Sequence, residues 1–287
     1  MTRPRAVPAV AAAALALFGW LGGCDSRPAP AFHRTDGAWR YRDTPIPEAD
    51  AASFTVLSDR YAKDRARVYY ADAYRESREY FSIRHDRVRT VAEADPASFR
   101  LLAHDYARDA RNVYFEGTRI PVRDAGTFEP LDDGFARDRI AGYYQQQEIG
   151  GSDGATFAVV GAHYAKDAAH IYYAEIAIDG GAARPYVRAV ALPGAQPATF
   201  RALDAGYALD AAQAWYRDRP LTRDVASFAV LGFDYARSTT GVFHRGERVS
   251  GADPATFRTL PAPTESADAQ DANAQYLQGR RGRASGG

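Results

Sequence analysis

Hydrophobic and polar residues recur along this chain in one pattern with a basic length of about 29 residues. Each copy opens on a Phe, usually followed by Leu three residues later and by an aromatic residue seven residues later. An Asp stands ten residues after the Phe, and an aromatic pair ends the pattern. The copies begin at Phe54, Phe99, Phe128, Phe157, Phe200, Phe228 and Phe257, at intervals of 45, 29, 29, 43, 28 and 29 residues. A fixed period of this kind predicts a tandem repeat architecture.

The local pattern predicts the elements of one repeat. Asp95-Pro96-Ala97-Ser98 resembles a capped helix start, and Phe99 with Leu102 shares a face only over a turn of helix. We expect that turn, then a short strand up to the aromatic residue. The Tyr-Ala-Lys-Asp phrase is expected to form the hairpin turn. Val-Tyr-Tyr at 68–70 is β-branched and aromatic, which predicts the next strand.

These elements predict a mainly β fold of tandem short hairpins, each with a one-turn helix, in an open stack or irregular meander. The alternative is a closed, propeller-like ring, for which about 29 residues is short. We expect the array at residues 39–260, with hairpin insertions near 71–90 and 174–192. Residues 25–38 are expected to be a tether rich in Pro and Ala, and residues 261–287 a disordered tail.

The phrases at Tyr61–Tyr70 and Tyr164–Tyr173 resemble the DKNYY family of bacterial repeat lipoproteins. The chain keeps the Asp and the Tyr-Tyr of the family phrase and replaces its Lys-Asn with Arg-Ala, Ala-Arg or Ala-Ala. The resemblance covers about residues 39–260 and six copies of the pattern. It implies the architecture and says little about function, because the family has no established activity.

Residues 1–24 resemble a lipoprotein signal peptide. Arg3 and Arg5 precede an apolar stretch from Ala9 to Leu21, which is shorter than the ~20 residues of a membrane span. The stretch ends in Leu21-Gly22-Gly23-Cys24, which resembles the bacterial lipobox, so Cys24 is the expected lipidation site. An ordinary secretory cleavage or a buried helix is the alternative. Asp25, by resemblance to enterobacterial lipoproteins, favours the inner membrane over the outer.

The charge balance argues against a nucleic-acid partner, since 36 Lys and Arg residues match 36 Asp and Glu residues. Removal of Arg3 and Arg5 leaves 34 basic residues, a formal charge of −2. The expected membrane contact is therefore the lipid rather than a basic face. The expected location is the bacterial cell envelope, facing the periplasm. A lone cysteine also rules out an internal disulfide framework.

The recurring aspartates invite two interpretations. Each could contribute oxygen to a calcium site, but calcium needs six to eight oxygens and most turns offer one carboxylate. The simpler interpretation is a structural turn in which the carboxylate accepts backbone N–H groups, with no metal bound. The expected turn residues are Asp64, Asp109, Asp138, Asp167 and Asp210, with Ser238 in the sixth copy.

The aromatic pairs carry the sharpest functional hypothesis. Neighbouring strand residues point to opposite faces, so we expect one member of each pair in the core and the other outside. Stacked repeats would then form an exposed ladder able to bind sugar rings, as cell-wall-binding repeats do. The simpler interpretation is that the rings only stack repeat on repeat. The ladder residues are Tyr70, Phe115, Tyr144, Tyr173 and Tyr216.

No catalytic, phosphate-binding or cofactor motif is present in the sequence. We therefore expect no enzyme and no cofactor, but a non-enzymatic binding or scaffold module with an envelope protein or glycan as partner. Glycan or peptidoglycan binding is the first alternative. The second is an enzyme with a cleft between the two insertions, whose polar residues would be Arg78, Glu79, Arg84, His85 and Arg184.

Overall fold

The computed structural model describes residues 30–76, 78, 83–178 and 185–282. Over these ranges the chain forms eight small antiparallel sheets, which we number 1 to 8 in chain order. Sheet 1 has three strands and the others have four, each joined to the next along the chain. The mainly β, repeated meander expected from the sequence is therefore confirmed.

Sheets 1 to 4 contain β1 Phe32–Thr35, β2 Ala38–Tyr41, β3 Thr44–Pro45; β4 Thr55–Val56, β5 Tyr61–Lys63, β6 Val68–Tyr74, β7 His85–Thr90; β8 Arg100–Leu101, β9 Tyr106–Arg108, β10 Val113–Phe115, β11 Thr118–Ile120; and β12 Glu129–Pro130, β13 Phe135–Arg137, β14 Gly142–Tyr144, β15 Gln147–Glu148.

Sheets 5 to 8 contain β16 Ala158–Gly161, β17 Tyr164–Lys166, β18 Ile171–Ala177, β19 Tyr186–Ala191; β20 Arg201–Ala202, β21 Tyr207–Leu209, β22 Ala214–Tyr216, β23 Arg219–Thr222; β24 Ala229–Val230, β25 Tyr235–Ser238, β26 Gly241–His244, β27 Glu247–Arg248; and β28 Arg258–Thr259, β29 Ala269–Gln270, β30 Gln275–Leu277, β31 Arg280–Arg281. A turn of 3-10 helix, Asp204–Gly206, precedes β21.

The core lies between consecutive sheets rather than inside any one of them. Most strands have two to four residues and cannot bury a face alone, so each of sheets 2 to 7 is covered on both faces by its neighbours. Tyr61 and Tyr70 on one face of sheet 2 pack against Tyr114 of sheet 3. Tyr69 on the opposite face packs against Tyr41 of sheet 1. Both members of an aromatic pair are therefore core residues.

The Phe that opens each repeat fills the gap between two sheets. The ring centroid of Phe128 lies 5.3 Å from that of Tyr106 in sheet 3 and 5.6 Å from that of Tyr143 in sheet 4. Phe257 bridges Tyr235 and Tyr276 in the same way, at 5.2 and 5.3 Å. Tilted ring pairs at these distances add about 0.5–1.5 kcal/mol each beyond area burial. The repeated Phe thus links each repeat to the preceding one.

The recurring Asp organises the turn between the two middle strands. In sheet 4, Oδ1 of Asp138 accepts the N–H groups of Ile140 and Ala141 at 2.7 and 2.8 Å. Oδ2 accepts the N–H of Asp124 and the hydroxyl of Tyr143, both at 2.7 Å. The carboxylate therefore joins its own turn, the following strand and the segment that leads into the repeat.

The same four hydrogen bonds form at the other copies of this Asp, with Trp215 Nε1 in place of a hydroxyl in sheet 6: Asp64, Asp109, Asp167, Asp210 and Asp271. Burial would raise the pKa of Asp138, but the bonds from Tyr143 and the backbone outweigh it and lower the pKa. The carboxylate stays ionised and accepts all four donors.

In sheet 7, different residues stabilise the turn between the two middle strands. Ser238 stands in the Asp position and Phe243 in the Tyr position, so neither the carboxylate nor its hydroxyl donor is present. Asp224, fourteen residues before Ser238, supplies a carboxylate from the other side and accepts the N–H of Thr239 at 2.9 Å. Ser238 Oγ accepts the N–H of Thr240 at 3.2 Å. The turn keeps its shape because the donors still find acceptors.

The first Tyr of most repeats binds the last turn of the next sheet. Tyr61 Oη accepts the N–H of Gly117 at 2.7 Å, and Tyr235 Oη accepts that of Gly279 at 2.7 Å. Gly117 has φ of 68°, and a Cβ there would lie 2.3 Å from Tyr70 Cγ, so only glycine fits.

The first aromatic residue of a repeat is Phe rather than Tyr where the hairpin of the next sheet is lengthened. Phe32 precedes sheet 2, where the residues Tyr69–Tyr74 of β6 pair with His85–Thr90 of β7. Phe135 precedes sheet 5, where β18 and β19 pair from Tyr172↔Ala191 to Ala177↔Tyr186. These lengthened hairpins pack against the preceding sheet, and Val187 and Ala189 join the cluster that contains Tyr144. Packing replaces the hydroxyl contact at these two junctions.

One predicted local element, the position of the hairpin turn, was wrong. Tyr-Ala-Lys is a strand, β5 or β17, and only the Asp after it belongs to the turn. The expected helical turn is a single hydrogen-bonded turn, in which Asp253 O accepts the N–H of Phe257 at 3.0 Å. Asp253 Oδ1 accepts the N–H of Ala255, as expected of a cap. No helix continues because the following residues enter β28.

The predicted ends of the array were also wrong. The expected tether, 25–38, includes β1, because Phe32 pairs with Tyr41 as the first aromatic of a repeat. The expected disordered tail, 261–287, contains β29 to β31 of sheet 8. There the step from Phe257 to the first-aromatic position is eleven residues instead of seven, and Asp268 occupies that position. Residues 25–29 and 283–287 lie outside the described ranges.

Each hydrophobic cluster of the described residues joins neighbouring sheets. None of these clusters joins sheet 1 to sheet 8, in line with an open stack rather than a ring.

The two middle strands of a sheet form a hairpin, and the hairpin has two opposite ends. We call the end with the Asp turn the Asp end and the end with the first Tyr the Tyr end.

Asp138→Ala tests the turn. The variant leaves several N–H and O–H donors without an acceptor, at about 1–3 kcal/mol for each buried one. We expect the free energy of unfolding to fall by about 3 kcal/mol or more in urea denaturation. Asp132→Ala is the control, since the Asp132 side chain is 87% exposed in the same repeat. Equal losses in the two variants would contradict the role of Asp138.

Tyr61→Phe and Phe135→Tyr test the junctions between repeats. Tyr61→Phe leaves the buried N–H of Gly117 unpaired and should cost about 1–3 kcal/mol of unfolding free energy. Phe135→Tyr adds a hydroxyl where the next hairpin offers no such turn, so we expect no stabilisation. Thermal unfolding measures both. A neutral Tyr61→Phe or a stabilising Phe135→Tyr would show that the hydroxyl contact does not select the residue.

Candidate ligand groove at the Tyr end

The five ladder residues do not form an exposed ladder. Tyr70, Tyr144, Tyr173 and Tyr216 are buried, with at most 7% of each exposed, and Phe115 is half-buried. The expectation that one member of each pair faces outward was wrong, because the sheets that carry these residues, 2 to 6, each have a neighbour on both faces. The rings are not available as open stacking surfaces. The phenol ends of three of them nevertheless line a groove.

This groove runs along the Tyr end of sheets 4 to 7 and has a volume of about 570 Å³. Its lining comes from turns and strand ends rather than from strand faces: Tyr144, Ala162, His163, Tyr173, Glu175, Ile176, Ala205, Gly206, Tyr216, Arg217, Asp234 and Arg245. Since packed sheets lie about 10 Å apart, a lining from four consecutive sheets gives an elongated site.

The residue just before the first aromatic affects how open the Tyr end is at sheets 2, 4 and 6. In sheet 2 this residue is Arg60, whose guanidinium lies 4.8 Å from the ring centroid of Tyr70 and bonds its hydroxyl. In sheets 4 and 6 it is Gly134 and Gly206, which place no side chain over Tyr144 and Tyr216. The groove is therefore open at sheets 4 and 6 and filled by arginine at sheet 2.

Arginine–carboxylate pairs line the groove. Arg217 Nη1 lies 3.2 Å from Glu175 Oε2, and Arg245 Nε lies 2.8 Å from Asp234 Oδ2. Arg188 reaches both Glu175, at 3.4 Å, and Asp218. The hydroxyl of Tyr173 donates to Glu175 Oε2 at 2.9 Å. The charges within the lining thus compensate one another.

Two tyrosines of the groove, Tyr144 and Tyr173, are neutral phenols. Burial raises the pKa of Tyr173, and the hydrogen bond to Glu175 raises it further. Burial also raises the pKa of Tyr144, with a smaller contribution from the carboxylates of Asp133 and Glu175. Their hydroxyls therefore remain able to donate and to accept hydrogen bonds at neutral pH.

The recurring aspartates lie at the Asp end, away from the groove. Their oxygens accept N–H and O–H donors, so they are turn residues and are not arranged around a cation. In the part of the chain that the structure describes, no group of three or more His, Cys, Asp or Glu side chains is placed to hold a metal ion.

The residues of the predicted enzymatic cleft stay close to their own hairpin. Arg78 pairs with Glu76 at 3.3 Å and Arg84 with Asp86 at 3.6 Å. His85 stacks on Tyr74 at 5.2 Å between ring centroids. Glu79 and Arg184 lie outside the described residues. The two lengthened hairpins belong to sheets 2 and 5, each packed against the sheet before it.

Cys24 and the signal segment, 1–24, also lie outside the described residues. Among the residues that are described, no helix has the length and apolar character needed to cross a membrane.

Comparison with known proteins bears on the repeat itself. The model of the DKNYY family matches residues 122–176, which form sheet 4 and most of sheet 5. Over these residues the chain carries DKNYY repeats. The resemblance seen in the sequence is thereby confirmed, and the DKNYY segment contains Tyr144, Tyr173 and Glu175 of the groove. No curated protein and no solved structure matches the chain.

Sequence reasoning missed most of the polar lining of the groove. Glu175, Arg217, Asp234 and Arg245 were not singled out from the sequence. One feature of the sequence, seen when the repeats are compared with one another, could have indicated the groove. The position before the first aromatic changes from Arg60 to Gly or His between copies, which marks where the lining differs.

Proposed function

We propose that this protein is a lipid-anchored, non-enzymatic binding module of the bacterial cell envelope, and that the groove at the Tyr end is its ligand site. The observation that carries the proposal is the groove itself, lined from four consecutive sheets by phenol and arginine–carboxylate groups. Such groups can hydrogen-bond a polar ligand at several points. An elongated envelope polymer fits a site that crosses several repeats.

Binding fits this lining better than catalysis. The arginines and carboxylates of the groove are bonded to one another, and the pKa of Tyr173 is raised by burial and Glu175. A general acid or base needs a pKa near the working pH and a free position toward the substrate. Glu175 already accepts from Tyr173 and two arginines, which favours a positioning role over proton transfer.

The anchoring part of the proposal rests on the lipobox-like Leu21-Gly22-Gly23-Cys24. Lipidation of Cys24 would place the array on the periplasmic side of the envelope, and Asp25 favours the inner membrane. Eight residues, 24–31, would separate the lipid from β1. The array would then stand close to the membrane surface.

Cys24→Ser tests the anchor. We expect the variant to lose incorporation of radiolabelled palmitate and to keep its signal segment, because the thiol carries the lipid. Labelling in the native bacterium, followed by gel electrophoresis, measures both. A Ser26→Ala variant is the control and should label normally. Unchanged labelling of the Cys24→Ser variant would refute lipidation at this residue.

An interaction scaffold is the second candidate function. The lengthened hairpin of sheet 5 exposes apolar side chains beyond the stack, with Ile176 42% and Ile178 71% exposed. Apolar residues grouped on a projecting hairpin are common at protein interfaces. The groove and this hairpin are close, since Ile176 belongs to both.

The groove is tested by co-sedimentation of the full chain, in detergent, with isolated peptidoglycan sacculi. We expect saturable binding that Gly206→Asn weakens by about tenfold or more, because the new side chain enters the groove. A Cβ at Gly206 meets Tyr216 Cε2 at 3.5 Å, which is ordinary contact, and Asn tolerates positive φ well. Circular dichroism checks the fold.

Gly194→Asn is the matched control. Gly194 has φ of 79°, close to the 78° of Gly206, and a Cβ there meets nothing within 4 Å. The same substitution at the same backbone conformation should leave sedimentation unchanged. Absence of sedimentation by the wild-type protein would refute the proposal for this polymer. Binding lost in Ile178→Asp but kept in Gly206→Asn would move the site to the hairpin.

A further inference from the structure

The charges of the groove are compensated inside it. Its charged lining consists of Glu175, Asp234, Arg217 and Arg245, two acids and two arginines, paired at 3.2 and 2.8 Å. An ion pair at this distance still leaves N–H groups on the guanidinium and lone pairs on the carboxylate. The groove therefore offers donors and acceptors side by side, with no net charge to match a charged ligand.

From this we infer the ligand class: the groove binds an uncharged oligosaccharide chain through its hydroxyl groups. The inference rests on the proposed function and names the chemistry of its ligand. A sugar hydroxyl donates and accepts at once, as does an arginine–carboxylate pair. A charged ligand would have to displace one partner of a pair and leave the other without its counter-charge.

The tyrosines take part through their hydroxyl ends. Tyr144, Tyr173 and Tyr216 are at most 7% exposed, so no ring face is open for a sugar to stack upon. Ile176, 42% exposed, adds an apolar contact for the carbon-bound hydrogens of a ring. The chain would thus lie with its hydroxyl edge toward the groove.

A peptide is a poorer occupant. Peptides commonly add a strand to an open sheet edge or place apolar side chains in pockets. The groove lies at the ends of the middle strands, where the backbone turns and several residues, such as Ala162 and Ala205, have positive φ. Most of the lining residues belong to turns and strand ends, so an extended peptide would find few backbone partners.

The same end of sheets 2 and 3 lacks this site. There Arg60 bonds the Tyr70 hydroxyl and pairs with Asp105 and Glu116 at 3.1 and 3.3 Å. The guanidinium of Arg89 also lies 4.9 Å from the ring centroid of Tyr70. Side chains of the protein occupy the space that is open next to Gly206. The chain would therefore bind sugar at sheets 4 to 7 only.

Calorimetric titration of the full chain in detergent tests the inference. The probes are chitohexaose, cellohexaose and maltohexaose as neutral chains, an alginate hexamer as an anionic chain, and a Gly/Ser decapeptide. We expect at least one neutral chain to bind saturably. Gly206→Asn should weaken that binding by about tenfold or more, and Gly194→Asn should not.

Arg245→Ala is a second groove variant that does not depend on backbone tolerance. The Arg245 side chain is 66% exposed, so its loss should leave the fold intact, and it removes one donor of the site. Arg139→Ala is its control, since Arg139 is 71% exposed and pairs with Asp124 at the Asp end. Only the first variant should weaken sugar binding.

The outcomes separate this inference from the proposed function. Groove-dependent sedimentation with sacculi, together with no binding of any neutral chain, would overturn the ligand class and leave the groove as a binding site. Preferred binding of the alginate hexamer or of the peptide at the Gly206-dependent site would also overturn it. Failure of sacculi and of all five probes would overturn both. Neutral-chain binding unaffected by Gly206→Asn and Arg245→Ala would overturn the assignment to this groove.

Discussion

The hydrogen-bonded aspartate of the turn, present in six of the eight sheets, makes the interaction on which the array depends. Strands of three residues supply too few hydrogen bonds to hold a hairpin, and a carboxylate with four donors adds a fixed point at its turn. Because one of those donors lies fourteen residues upstream, as Asp124 does for Asp138, the turn also holds the segment that leads into its own repeat. A single residue per copy thus secures the turn, the following strand through Tyr143, and the entry of the chain. Where Ser238 replaces it, Asp224 supplies the carboxylate from the upstream segment.

Stacking follows from the shortness of the sheets. Each sheet has two faces and no helices to cover them, so its neighbours must do so. The Ala that follows the first aromatic, such as Ala107 or Ala136, is fully buried. Its small side chain leaves room for its cross-strand partner in the same sheet, Tyr114 or Tyr143. This arrangement places the aromatic pairs in the core, so only turns and strand ends remain exposed to bind a ligand. The groove accordingly combines the hydroxyl ends of recurring tyrosines with polar residues that vary between copies.

Particular residues show how far the sequence could be interpreted. The spacing of Phe, Tyr and Asp predicted a β repeat, because these three residues bond or contact one another within a single copy. The last repeat was hidden because the step from Phe257 to Asp268 is four residues longer than elsewhere and Asp268 is not aromatic. The first was hidden because Phe32 has no Phe-Leu segment before it within the described residues. In both cases the local sequence pattern is incomplete. Only the strand pairing that involves Tyr41 or Tyr276 shows that a repeat is present.

The sequence by itself determined the repeat, its length and the turn residues, since these depend on hydrogen bonds between positions at fixed spacing along the chain. Only the tertiary structure decided which aromatic residues are exposed, because strand alternation specifies two faces but not what covers them. It also decided where the groove opens, since Gly206 and Arg60 hold the same position in different copies and their effect depends on the neighbouring sheet. Glu175 and Arg217 lie 42 residues apart and meet only because sheets 5 and 6 stack.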